Sequence, residues 1–154
     1  MEIPLIYIIG IIITLSFSGF FSGMEIAYIS SNRLKVELDR SKGTINGKVI
    51  GFFYKRESHF LAMLLLGNNI ALVVFGLLSA LLLNPIIASW GISEGGVMLL
   101  LQTLLSTSVV LIVAEFLPKT FVQINPNGFL RIAAFPMALI YGILYIPTYF
   151  VLAL

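Results

Sequence analysis

The chain has 154 residues, 59% of them hydrophobic and only 10% charged, with a formal net charge of +2. A soluble domain carries about 25% charged residues to cover its surface, so this composition excludes a water-soluble globular protein and makes lipid the main outer solvent. With no cysteine, disulfides and thiolate metal sites are excluded too.

The first apolar segment runs from about residue 3 to 29. Glu2 stands where a signal peptide would be basic, and the run exceeds the apolar core of such a peptide, so it is expected to stay as a helix. Its centre reads Phe17-Ser18-Gly19-Phe20-Phe21-Ser22-Gly23. Ser18 and Ser22, four apart, share a helix face, and Glu25 lies close to that face. Ser-Gly pairs favour kinks, and a kink frees carbonyls that can coordinate a cation where they line a cavity. Gly19 and Gly23 equally spell a GxxxG packing face, which makes them candidates for a dimer surface.

The following loop, residues 32–58, holds seven of the nine basic residues. Leu34, Leu38, Val49, Ile50, Phe52 and Phe53 are interleaved with them, a pattern of short helices on the membrane surface or of a solvated hairpin. The second apolar segment, about 60–83, is interrupted by Gly67-Asn68-Asn69. Adjacent residues point roughly 100° apart, so at most one asparagine faces a given cavity; the other use of such a residue is a hydrogen bond across helices. The next connection, 84–96, has no basic residue but contains Trp90 and Glu94.

The third segment, about 97–117, ends in Glu115-Phe116-Leu117-Pro118-Lys119. Pro118 has no N–H, so the Ala114 carbonyl loses its helical partner beside a carboxylate. Glu115 could instead snorkel or pair with Lys119, four residues on. The fourth segment, about 129–154, contains Pro136 and Pro147. It either crosses once or forms a broken juxtamembrane pair along the inner edge of the bilayer. The expected fold is therefore all-α and polytopic, in one domain spanning 1–154. The excess of lysine and arginine in the first loop, with Lys119 and Arg131 in the third, places those loops in the cytoplasm and the N-terminus outside.

An ionisable group inside a span costs about 3 kcal/mol, and the apolar segments contain only Glu25 and Glu115. At ~1.5 Å per residue, Ser18 and Ser22 lie roughly 22 and 28 Å below the outer boundary, Asn68 and Asn69 about 21–23 Å, and Glu115 about 27 Å. Three helices thus deliver oxygen ligands to a similar level in the inner half, with Gln102, Ser106, Thr107 and Ser108 as further polar residues. A set of hydroxyls, amide oxygens, carbonyls and one carboxylate suits Mg²⁺ or Na⁺ rather than Zn²⁺ or Cu.

These pieces, with the stretch from Phe17 to Ala27, the run Leu64-Leu65-Leu66-Gly67-Asn68-Asn69 and the run Glu115 to Lys119, resemble the transmembrane module of the CorC/CNNM family of Mg²⁺ transporters. The resemblance implies a homodimer in the cell membrane with three transmembrane helices per protomer, at about 3–29, 60–83 and 97–117. The segment 129–154 would then be a broken juxtamembrane helix, and the C-terminus cytoplasmic. It implies Mg²⁺ export with Na⁺ as counter-ion, and metal ligation by Ser18, Ser22, Asn68, Asn69 and Glu115, with Glu25 and Gly67 as less central members. It also implies a cytosolic CBS-domain pair beyond Leu154, so the chain is expected to be the transmembrane part of a longer protein.

Two other classes compete with transport by alternating access. The polar residues could only glue helices together in a scaffold or sensor, or they could line a channel. An enzyme is not expected: His59, the one histidine, lies beside Arg56 and Glu57 and has no nucleophile–base spacing with Ser18 or Ser22.

Overall fold

The computed structural model describes residues 2–93 and 95–154; Glu94, expected in the outer loop, lies outside the described residues. The described residues are helical almost throughout, with no strand among them: α1 (Leu5–Ser30), α2 (Arg33–Ser41), α3 (Ile45–Lys55), α4 (Glu57–Ser89), α5 (Gly95–Val109), a π-helical segment (Val110–Phe116), α6 (Leu117–Ile124) and α7 (Pro126–Ala153). This is what lipid requires, since a helix satisfies its own backbone. By length and composition four helices can cross a membrane: Leu5–Ser30, Glu57–Ser89, Gly95–Ile124 and Pro126–Ala153. The protein is thus a multi-pass membrane protein.

The boundaries depart from the expected ones in three places. α4 continues through Asn84 and Pro85 to Ser89, with Trp90 at its end, so the second connection is shorter than 84–96. The third long helix does not stop at Leu117 but runs past Pro118 and Lys119 to Ile124; the π-helical segment before Pro118 absorbs the missing N–H. And α7 is one continuous helix through Pro136 and Pro147, not a broken pair. Each proline removes one backbone bond, which 28 residues of helix tolerate.

The basic loop folds into two capped helices. Asn32 accepts from the N–H groups of Leu34 and Lys35 at 3.0 and 3.4 Å, and Thr44 from that of Gly47 at 3.2 Å, satisfying donors that helix starts leave free. Gly43 at φ 77° makes the turn between them, a conformation glycine adopts without cost. The apolar residues of this loop divide, Leu34, Leu38, Ile45 and Phe52 staying exposed while others turn inward. Val36, Ile50 and Phe53 are buried in one cluster with Met24, Tyr28, Phe60, Met63, Leu130 and Met137. Phe53 stacks on Phe60 at 4.4 Å, and Tyr28 lies 5.0 Å from Phe60, distances at which aromatic pairs add to the burial energy. The core therefore sits at the basic end of the bundle, where α1, α3, α4 and α7 meet.

α7 is tied to the basic loop near both its ends. At its start, the Asn127 side chain accepts from the Asn32 N–H at 3.0 Å and donates to the Asn32 carbonyl at 3.3 Å, and Arg131 pairs with Asp39 at 2.8 Å. Towards its end, Tyr145 accepts from Arg56 at 3.5 Å, and Tyr141 and Tyr145 flank His59 at 5.2 and 4.9 Å. The Arg131 and Asp39 side chains are 52% and 20% exposed, so water screens the pair and Asp39→Asn is expected to cost less than about 1 kcal/mol. A thermal unfolding curve in detergent checks this: a loss of several kcal/mol would mean that the pair is a principal clamp on α7.

Candidate functional site

Ser18 is completely buried and Ser22 is 2% exposed, both on the face of α1 that packs along α4. The Ser18 hydroxyl donates to Asn68 Oδ1 at 2.6 Å. This contact forms because Gly67 precedes Asn68: the Phe21 ring lies against Gly67, and a Cβ added there would stand 2.5 Å from it. Glycine thus lets α1 and α4 approach at the level of the two polar groups. Ser22, Glu25 and Ile29 of α1, with Leu61, Leu65 and Asn68 of α4, line a cavity of about 300 Å³. It leads from Asn68 towards the basic end of the bundle.

The other expected site residues go elsewhere. Asn69 is exposed on the outside of α4, as the ~100° step between neighbours requires once Asn68 faces α1. Glu115 is at the right level but on a different side. Ala114 is the buried residue, and its carbonyl faces Gly19, where a Cβ would stand 3.9 Å from the oxygen. Glu115 lines an open groove with Leu111, Ile112, Phe116, Lys119, Thr120 and Gln123. Glu115 and Lys119 share that groove without forming an ion pair among the described residues. Gln102 and Ser106 belong to a separate network. Ser106 Oγ meets Ser79 Oγ at 3.1 Å, accepts from Gln102 Nε2 at 3.2 Å and donates to the Gln102 carbonyl at 2.6 Å, joining α5 to α4. Thr107 and Ser108 are exposed.

Gly19 and Gly23 do not form an outer surface. A Cβ at Gly19 would lie 3.1 Å from the Pro118 ring, and one at Gly23 3.1 Å from Val122 and 3.5 Å from Phe129. The small-residue face of α1 is already occupied by α6 and α7 of the same chain, so these glycines are not candidates for a dimer surface.

Sequence reasoning missed the π-helical segment, within which Glu115 falls. Here the Leu117 N–H bonds to the Ile112 carbonyl, five residues back. One extra residue in the turn rotates the succeeding turns relative to a regular helix, and such segments occur mostly as single insertions at functional sites. The signal in the sequence was Pro118, which denies its N–H to the preceding turn.

Among the described residues no three of histidine, cysteine, aspartate and glutamate are grouped to hold a metal ion. Any cation in the cavity would therefore be met by neutral oxygens and at most one or two carboxylates, a donor set for a hard ion held loosely.

The profile of the family described as "Cyclin M transmembrane N-terminal domain" matches residues 9–154. The chain is also 26% identical over 110 residues to UPF0053 inner membrane protein YfjD of Escherichia coli (strain K12), which covers 71% of this chain and 24% of that protein. The chain thus spans about a quarter of the length of the curated relative it matches. With the family profile running from the first helix to the last residue, this multi-pass helical chain belongs to the CNNM transmembrane-domain family.

Proposed function

We propose that the chain moves Mg²⁺ across the membrane by alternating access, without enzymatic chemistry, as a homodimer exporting Mg²⁺ in exchange for Na⁺. The observation that carries this reading is the contact of Ser18 with Asn68 Oδ1, 2.6 Å apart, at the head of the cavity that Ser22 and Glu25 line. Each hydroxyl and amide oxygen there has a further lone pair to offer a cation. Membership of the CNNM family supports the choice of transport over a passive scaffold.

Three spans fit better than four. About 18 residues separate Asn127 from Tyr145, roughly 27 Å of helix, yet both touch the basic loop or its junction with α4. A helix that returns to the same surface lies across the inner half of the bundle. On this reading α1, α4 and α5–α6 cross, α7 is a juxtamembrane belt, the basic loop is cytoplasmic and the N-terminus is outside. The cavity below Asn68 is then the inward-open path. A further cytosolic region, such as the CBS pair, would follow α7.

Glu115 completes the site through the π-helical segment. Reversion of that segment to regular helix shifts the register by one residue, a rotation of about 100°, which is the angle between Ala114 facing α1 and Glu115 beside it. Ligation by Glu115 in one state and its withdrawal in the other would give the alternation a moving part. Asn69, facing outward, ligates only if a second protomer or a rotation of α4 brings it in.

Isothermal calorimetry on the purified protein tests the assignment. Glu115→Ala and Ser22→Ala are each expected to weaken Mg²⁺ binding at least tenfold; unchanged titration curves for both would refute the site. Flux in reconstituted vesicles separates the second reading: a folded protein that binds no Mg²⁺ and passes none is a scaffold.

A further inference from the structure

A second polar cavity, of about 680 Å³, opens at the junction of α3, α4 and the end of α7. Lys55, Arg56, Ser58, His59, Tyr145 and Tyr149 supply its polar groups, and Leu152 and Ala153 form an apolar wall. Glu57 also borders it, but its carboxylate is engaged by Arg33 at 3.3 Å, so Lys55 and Arg56 set the sign of the potential. Arg56 is held in place: its guanidinium lies 5.2 Å from the centre of the Phe52 ring and donates to Tyr145 at 3.5 Å. Hydrogen bonding to the Tyr145 phenol, and then to that of Tyr141, raises its pKa further.

Two more observations call for an anion. Among the described residues no side-chain hydrogen bond caps the start of α4, whose first residues border the cavity, so its free N–H groups add partial positive charge there, offset in part by Glu57 in the same turn. And both ring nitrogens of His59 are buried beside the Tyr141 and Tyr145 rings without a hydrogen-bond partner among the described residues, so a small shift of those rings would open an unsatisfied donor and acceptor to the cavity. Histidine, arginine, lysine, serine and tyrosine around one cavity are phosphate-binding chemistry. The apolar wall of Leu152 and Ala153 beside them suits a phosphate that carries an acyl chain.

We propose that this cavity binds the phosphate headgroup of an anionic phospholipid, pinning the end of α7 to the α3–α4 junction. The placement rests on the reading that the basic loop lies at the inner membrane surface, where anionic lipid is available; it does not depend on which ion is transported.

Native mass spectrometry of the whole chain, released from bilayers of equal phosphatidylglycerol and phosphatidylcholine, tests it. The wild type is expected to retain phosphatidylglycerol at least tenfold over phosphatidylcholine, and Arg56→Gln to lose that preference. Because Arg56 also packs on Phe52, the double variant Lys55→Gln/Tyr149→Phe, which alters only exposed side chains, provides a second test and should lower the preference at least threefold. Equal retention of the two lipids by the wild type, or an unaltered preference in the double variant, would overturn the proposal. Displacement of phosphatidylglycerol by millimolar inorganic phosphate would overturn the lipid assignment in favour of a soluble phosphate ligand. Since no Mg²⁺ flux is read, failure of the transport reading would leave these outcomes intact.

Discussion

Asn68→Leu is expected to abolish Mg²⁺ flux in reconstituted vesicles while leaving the helices assembled. The substitution keeps approximate volume and deletes one thing, the amide whose Oδ1 stands 2.6 Å from Ser18 Oγ. A ligand oxygen lost from a site of mostly neutral donors leaves few to replace it, and a tenfold or greater drop in Mg²⁺ affinity, about 1.4 kcal/mol or more, should result. The structural cost is smaller. Ser18 is fully buried, but a helical serine can turn its hydroxyl to the carbonyl four residues back, so about 1 kcal/mol of stability is at stake. The two measurements separate the competing roles. If Asn68 is only interhelical glue, the unfolding midpoint falls and flux survives; if it is a ligand, flux disappears with the midpoint nearly unchanged.

The level of the candidate site was legible in the sequence, and the direction of its side chains only partly so. Counting ~1.5 Å per residue put Ser18 and Asn68 at one depth, and in the structure they touch. The same count put Glu115 at that depth, and the Gly19 contacts with Pro118 and Ala114 agree that this part of the third long helix lies alongside. Depth depends on rise, which barely varies; direction depends on the accumulated twist, which the π-helical segment changes before Glu115 is reached. A regular-helix count cannot see that. The one case where direction was legible is the asparagine pair, because neighbouring residues leave no room for accumulated error.

The prolines behave in a similar way. Pro118 sits where the backbone leaves the regular pattern, whereas Pro85, Pro136 and Pro147 lie inside continuous helices. In a chain that must keep its backbone bonded, neighbouring turns and packed helices absorb an isolated proline, so its presence marks a local adjustment rather than an end. The sequence left α7 with two roles, a crossing or a juxtamembrane segment. Its length and apolar character equal those of a span, and the pairing of Asn127 with Asn32 and of Tyr145 with Arg56 is what supports the belt proposed above. Such long-range contacts leave no periodic trace in the sequence.

Gly67→Val should have the largest effect on the fold and on transport together. A Cβ at this position would lie 2.5 Å from Phe21 Cζ and 2.7 Å from Cε1, well inside contact distance, and valine adds two methyl groups beyond it. Phe21 cannot easily yield, since its ring is 5% exposed and packed against Phe20 and Phe17 at 6.0 and 6.5 Å. Overpacking of this kind costs about 1–3 kcal/mol, relieved by moving α4 away from α1. That movement acts directly on the next residue, Asn68: a displacement of about 1 Å takes its amide out of hydrogen-bond range of Ser18. Flux should therefore fall at least tenfold alongside a lowered unfolding midpoint, whereas Gly67→Ala should give a smaller change in both. Trimming the opposing ring in a Phe21→Leu/Gly67→Ala double variant should recover part of the midpoint and of the flux. Recovery of stability without any recovery of flux would mean that close approach of α1 and α4 holds the bundle together but does not set the geometry of the cation site.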